Sequence, residues 1–294
     1  MKYLLFVIIL TVILLSTVIG SENDLIIEVE LDKEQYYKRE NIYPLINFIN
    51  NGNEPIMVYG LHPSLGFIKA IIHDDNNIKV ERRGLFTAAY VWPPDGEMIL
   101  PGDTLSMLYF ELNGMYGNNP VTMMISRNVY LLYGKYEIQF EYNNYYDIEN
   151  RKYNIVKSNT VQFEIVEPET TERFVYEQYE EAFLLKDNYP ERSIKIFESL
   201  YDRYPGSDYI PTIVGEWRVL DRQVARGEKA LEIITQLVEQ HPNSFTALNI
   251  YKLYLSFIRI HDPEKSRSLL QDVIQRNPGT AIARYGKTLF REIK

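Results

Sequence analysis

Apolar and polar positions alternate along residues 24–167 and recur every three or four residues along 171–294, so the chain changes character once. In Gly134–Tyr142, the residues Tyr136, Ile138, Phe140 and Tyr142 fall on one side, and Lys135, Glu137, Gln139 and Glu141 on the other. In Asn159–Val166, Val161, Phe163 and Ile165 alternate with Thr160, Gln162 and Glu164. Similar runs occupy Leu25–Leu31, Ile42–Asn50, Phe67–His73 and Thr104–Leu112, with turn-forming clusters such as Asn50-Asn51-Gly52-Asn53 and Asp74-Asp75-Asn76-Asn77 between them. A period of two marks strands with one buried face, and several short ones with regular turns predict an antiparallel β-sandwich.

The helical part carries an internal repeat. Pro190-Glu191-Arg192-Ser193, Gly227-Glu228-Lys229-Ala230 and Pro263-Glu264-Lys265-Ser266 lie 37 and then 36 residues apart. Phe197, Ile234 and Leu270 keep that register, as do Leu200, Leu237 and Val273, and each copy closes on Pro205, Pro242 or Pro278. Proline suits the first helical turn, where its missing N–H is not needed, and the glutamate after it favours a helix N-terminus. Ser207, Ser244 and Thr280 are placed to cap the following helices. Longer periodic segments lie between the copies, at Thr171–Asp187, Asp208–Ala225, Ser244–His261 and from Thr280 onward. The pattern predicts three helical hairpins and a last helix, stacked because no hairpin can bury its apolar face alone.

From about Thr171 to Lys294 the chain resembles the tetratricopeptide repeat family. The likeness rests on the small residue at 193/230/266, the large apolar one at 197/234/270, the proline at 205/242/278, and Gly215 in the first helix of a repeat. It departs at Lys252, which stands where the next repeat would place that glycine, and in a length above the usual ~34 residues. The resemblance implies protein or peptide binding on a concave face. The first half resembles exported bacterial immunoglobulin-like domains through Tyr36, Glu40-Asn41-Ile42, Asn50-Asn51-Gly52-Asn53-Glu54-Pro55-Ile56, Gly134-Lys135-Tyr136-Glu137-Ile138 and Ser158-Asn159-Thr160-Val161. That likeness implies a spacer, adhesion or docking module. The expected architecture is thus an Ig-like β-sandwich over 24–167, followed by a TPR-like helical hairpin solenoid over 171–294. Glu167-Pro168-Glu169-Thr170 is the boundary.

Ahead of both lies Met1-Lys2 and an uncharged apolar run, Tyr3–Ile19, which reads as a secretory signal peptide over residues 1–20. At ~17 residues it is near the lower limit for a membrane span, so a retained N-terminal anchor is the alternative, and membrane contact is expected only then. The protein is expected to be exported, whether periplasmic, on the cell surface or secreted. The chain has no cysteine, which excludes disulfides, a lipid-anchored cysteine and zinc–thiolate chemistry. Its charge is uneven. Ser21–Pro168 carries 12 basic and 21 acidic residues, net −9, whereas Glu169–Lys294 carries 18 and 19, net −1. Without a basic stripe, nucleic acid is excluded as a partner.

Catalytic motifs are absent from the sequence. The four histidines His62, His73, His241 and His261 have no metal-ligand spacing, and His73-Asp74-Asp75 reads as a strand end entering a turn. No cofactor is expected, and the chain is read as non-enzymatic; an enzyme with a dispersed acidic site would need carboxylates converging in a cleft. Tyrosine is in excess at 24 residues, most of it suited to strand packing. Two function classes follow. In the first, the hairpins bind a protein or peptide through Trp217, Arg218, Tyr251, Tyr254 and Arg259. In the second, Tyr145 and Tyr146, in a predicted loop over Asn143–Tyr153, bind a cell-envelope glycan while the helices serve as support.

Overall fold

A computed structural model of the chain describes residues 24–61, 65–81, 94–109, 111–112, 131–221, 224–225 and 228–292. The apolar run at 1–20, His62, Tyr130 and Gly227 lie outside the described residues. No helix among the described residues is long and apolar enough to cross a membrane.

The strands are β1 (Leu25–Glu30), β2 (Gln35–Tyr37), β3 (Leu45–Asn50), β4 (Ile56–Tyr59), β5 (Ile68–Asp74), β6 (Lys79–Val80), β7 (Gly96–Ile99), β8 (Thr104–Leu108), β9 (Gly134–Asp147), β10 (Lys152–Lys157) and β11 (Val161–Val166). One sheet runs β1-β3-β8, a second runs β2-β11-β9-β5-β6, and β4 pairs with β7. Among the described residues, every pairing is antiparallel except β2 with β11. The alternation expected in β9 is real: Tyr136, Ile138, Phe140 and Tyr142 are all buried. They share one core with Ile46 and Phe48 of the first sheet and Ile72 of the second.

Two stretches differ from the sequence expectation. The strand expected to reach Leu112 ends at Leu108, although Tyr109 N and Leu112 N still donate to Pro44 O and Ile42 O at 2.8 and 2.9 Å. Pro44 has no N–H to return, which ends the regular ladder. The expected loop at Asn143–Tyr153 is instead a hairpin. β9 runs on to Asp147, whose carboxylate accepts from Asn150 N at 3.2 Å, and β10 returns along the same edge of β9 that β11 uses lower down.

Among the described residues the helices that follow are α1 (Thr170–Leu185), α2 (Pro190–Arg203), α3 (Ile210–Leu220), α4 (Glu228–Gln240), α5 (Phe245–His261), α6 (Pro263–Arg276) and α7 (Ala281–Glu292). α1 packs on α2, α2 on α3, α4 on α5, α5 on α6 and α6 on α7, and α3 and α7 also lie against α5. The repeated positions have like surroundings: Phe197, Ile234 and Leu270 are fully buried, and so are the small residues Ser193, Ala230 and Ser266. Ser193 Oγ donates to Ala182 O at 2.9 Å, and Ser266 Oγ donates to Leu255 O at 3.1 Å, the same bond eleven residues back. A larger side chain there would push the two helices of a hairpin apart. Of the three expected caps, Ser244 performs the role, accepting from Ala247 N at 3.3 Å. Ser207 instead donates to Glu172 at 2.7 Å, and Thr280 donates to Asn277 O.

Candidate functional site

Helices α3 and α5 present one face to the β-rich part, and the contacts follow the repeat. Tyr209 and Thr246 are 37 residues apart, as are Thr212 and Asn249. Tyr209 OH donates to Lys38 O at 3.0 Å. Thr212 Oγ1 accepts from Asn41 N at 2.9 Å, and Thr246 Oγ1 donates to Asn41 O at 3.1 Å. Asn249 is hydrogen-bonded to the Tyr43 hydroxyl. Equivalent positions of successive repeats therefore grip one segment, Lys38–Tyr43, a turn at Lys38-Arg39 followed by irregular chain.

The segment is fixed at both ends. Tyr37 stacks on Tyr209 with ring centres 5.6 Å apart, and Leu45 and Leu108 join the apolar cluster of the helices. Arg39 Nε lies 3.3 Å from Glu180, and its guanidinium sits 4.8 Å from the Phe183 ring centre. Arg39 holds φ at 64°, a left-handed backbone that a non-glycine residue adopts at a cost of about 1 kcal/mol or more. That strain is maintained by the contacts to α1.

Beneath the segment lies a polar cluster in which Glu40 is buried, Asp32 and Lys33 are half-buried and Asp208 is exposed. Asp32 accepts from Phe245 N at 2.8 Å, at the start of α5, and from the Tyr36 hydroxyl. Lys33 reaches Glu40 at 2.5 Å and Asp208 at 3.4 Å. Burial raises the Asp32 carboxyl above its ordinary range, with the hydrogen bonds from Tyr36 and Phe245 offsetting part of the rise. Burial also pushes Glu40 up to about 8, against the pull of the Lys33 ammonium. His241 moves the other way: burial lowers it, and its Nε2 lies 2.9 Å from Pro205 O, which selects the tautomer with the proton on Nε2. The cation favoured there by helix-end electrostatics is thus opposed by burial.

The Glu40 shift sets a pH dependence. A folded-state value above the ordinary 4.5 means the folded chain binds that proton more tightly than the unfolded one. Its contribution is complete below about 4.5 and is lost as pH rises through about 8. Melting temperature is therefore expected to fall between pH 6.5 and 9, and Glu40→Gln to flatten that fall. Thermal melts across the range measure it; equal slopes in both proteins would contradict the assignment.

Beyond Asn249 the same face of α5 continues through Leu253, Phe257 and Ile260, at helical spacing. Leu253 is 45% exposed and Ile260 76%, with Phe257 half-buried against His261. On α3 the face that begins at Thr212 ends at Val219, 76% exposed. One half of the face is covered by the chain itself, and the other half leaves large aliphatic side chains in solvent.

The structure redistributes the residues singled out from sequence. Trp217, Tyr251 and Tyr254 are buried between helices, with Trp217 against Tyr201 and the Tyr251 hydroxyl donating to Leu269 O at 2.9 Å. Trp217 and Tyr251 lie on the far side of their helices from Thr212 and Thr246, and Tyr254 lies about 100° round α5 from Leu253, so all three leave the surface. Arg218 and Arg259 are half-buried, and the Arg218 charge acts on the Tyr43 hydroxyl. Tyr145 packs against Phe67 and Tyr153, with ring centres 5.2 and 5.1 Å away. Tyr146, 65% exposed, is skipped in the pairing of β9 with β10, where Tyr153 faces Tyr145 and Lys152 faces Asp147, so it occupies a β-bulge. Thr212, Thr246, Asn249, Leu253 and Ile260 were missed, although the repeat step of 37 marks the first three.

On the other side of β2 lies an open trough of about 1600 Å³, lined by Asp32, Asp74, Glu137, Glu164 and Asp208 among others. Its carboxylates are engaged locally: Asp74 accepts from Asn76 N and Ile78 N, Glu137 from Gln162 and Glu164 from Gln35. Among the described residues, no three potential ligands come together around a metal position.

No family model matches the chain. No curated protein matches it. Among solved structures, it is similar to the sporulation control protein Spo0M of Bacillus subtilis, at 10% identity over 55% of each chain with a TM-score of 0.28. It is also similar to the yjhA protein of Bacillus subtilis, at 13% identity over 46% of this chain and 92% of that one, with a TM-score of 0.20. The chain thus spans about half the length of Spo0M.

Proposed function

We propose that this is an exported, non-enzymatic interaction protein, in which a TPR-like array of helical hairpins is positioned by an Ig-like β domain and binds a protein partner. The partner contributes an extended peptide with aliphatic or aromatic side chains. It seats on the open half of the inner helical face, over Val219, Leu253, Phe257 and Ile260. One observation carries the reading: this apolar stripe is continuous with the face on which α3 and α5 already hold Asn41. A face that holds one irregular segment through its backbone in its first half offers a surface of the same kind to a peptide beyond it. The glycan alternative has less support, since Tyr145 is packed against Phe67 and Tyr153.

Panning a random peptide library on the full chain tests the reading. Selected peptides are expected to be apolar and to lose about tenfold or more in affinity with Leu253→Asp plus Ile260→Asp, since a buried unpaired carboxylate costs at least 1.4 kcal/mol. Peptides that bind the double variant equally well would remove the site. Concentration-dependent self-association abolished by the same substitutions would assign the stripe to a second copy of the chain instead.

A further inference from the structure

The face proposed above for an outside peptide already carries one from within. Lys38–Tyr43 is held chiefly through its backbone, by Tyr209 at Lys38 O and by Thr212 and Thr246 at the N–H and C=O of Asn41. Backbone contacts of this kind do not depend on which residue stands at position 41. Selectivity comes from three side chains that face the helices: Tyr37 on Tyr209, Arg39 between Glu180 and Phe183, and Tyr43 at Asn249. Tyr36 and Ile42 turn the other way, into the β core. The segment thus displays a pattern, Tyr-x-Arg-x-x-x-Tyr, to a helical surface whose contact positions repeat.

We infer that Lys38–Tyr43, with Tyr37, is a resident ligand of the helical array, and that it excludes from this half of the face any outside peptide carrying the same Tyr-x-Arg-x-x-x-Tyr pattern. The inference rests on the proposed function, because it takes the helical face to be a peptide site. It adds the chemistry of the ligand and a mechanism of control. The outside peptide gains the covered half only when the segment lifts away, so its apparent affinity is reduced by the fraction of time the face is open. The strained turn at Arg39 is where release would begin, since freeing it relaxes the left-handed backbone.

The test uses a fluorescein-labelled synthetic peptide copying residues 36–45 and the full-length chain. Wild type is expected to bind it at least about tenfold more weakly than a chain carrying Tyr37→Ala and Tyr43→Ala, in which the resident segment has lost its anchors. Adding Thr212→Val and Thr246→Val to that chain is expected to abolish binding. No binding to the loosened chain, or binding that survives the threonine substitutions, overturns the inference. Should the loosened chain fail to fold by circular dichroism, wild type with a protease site at Glu167–Glu169 replaces it. Once cut after folding, its β-rich part is expected to separate from the helices on size exclusion only in excess peptide. Co-elution regardless of peptide overturns the inference. Leu253→Asp plus Ile260→Asp leaves this binding unchanged, so failure at the open half and failure at the covered half are read separately.

Discussion

Phe197→Ala is expected to lower stability by about 3–5 kcal/mol, the usual cost of emptying an aromatic site in a packed core. Phe197 is fully buried, its ring lying 6.3 Å from that of Tyr179, and it belongs to the cluster that runs through all seven helices and includes Leu45 and Leu108 from the sheets. The hole would open between α1 and α2, where Ser193 Oγ already ties the helices together and limits their collapse. Limited relaxation keeps the cost near the top of the range. Ser193→Ala is the matched control: it removes one hydrogen bond from the same hairpin and is expected to cost about 1 kcal/mol. Urea denaturation followed by far-ultraviolet circular dichroism measures both. A loss under about 1 kcal/mol for Phe197→Ala would show that this hairpin is not part of the cooperative core.

The same position explains how much of the architecture was legible beforehand. Steps of 37 and 36 residues placed Phe197, Ile234 and Leu270 in equivalent sites because like-built hairpins bury like positions. Alternation located β1, β5, β9 and β11 because a strand with one buried face has a period of two. Local pattern failed where the third dimension decided. Asn143-Asn144 looks like a turn, yet β9 continues through it, held by β10 with Asn143 opposite Ile155. Trp217, Tyr251 and Tyr254 looked like binding aromatics, but size alone does not say which helical stripe faces a neighbour. The grip on Asn41 joins residues more than 170 positions apart, between Asn41 and Thr212, and no local pattern announces such a pair. What was available, and unused, was the repeat step itself: applied to the inner face, it links Tyr209 to Thr246 and Thr212 to Asn249.

Asp32→Ala is expected to cost about 2–4 kcal/mol and to weaken the joint between the β-rich part and the helices more than either part alone. The carboxylate accepts from the Phe245 N–H, one of the unpaired donors at the start of α5, and from the Tyr36 hydroxyl, which is itself deeply buried. Its removal leaves both donors unsatisfied and takes a negative charge from a helix N-terminus, where it is favourable. Tyr36 matters twice, because its backbone pairs with Ile165 in the parallel contact of β2 with β11 while its hydroxyl reaches Asp32. A disturbance at Asp32 is thereby felt in both parts. Asp32→Asn keeps one acceptor oxygen and is expected to lose less. It also loses any acid-dependent component from this group, since burial raises the Asp32 carboxyl above its ordinary range. The distinguishing readout is cooperativity. If Asp32 fastens the joint, the alanine variant unfolds in two separated steps, helical signal apart from sheet signal, where wild type unfolds in one. A single transition shifted by less than about 0.5 kcal/mol would mean that Tyr209, Thr212 and Thr246 hold the joint without it.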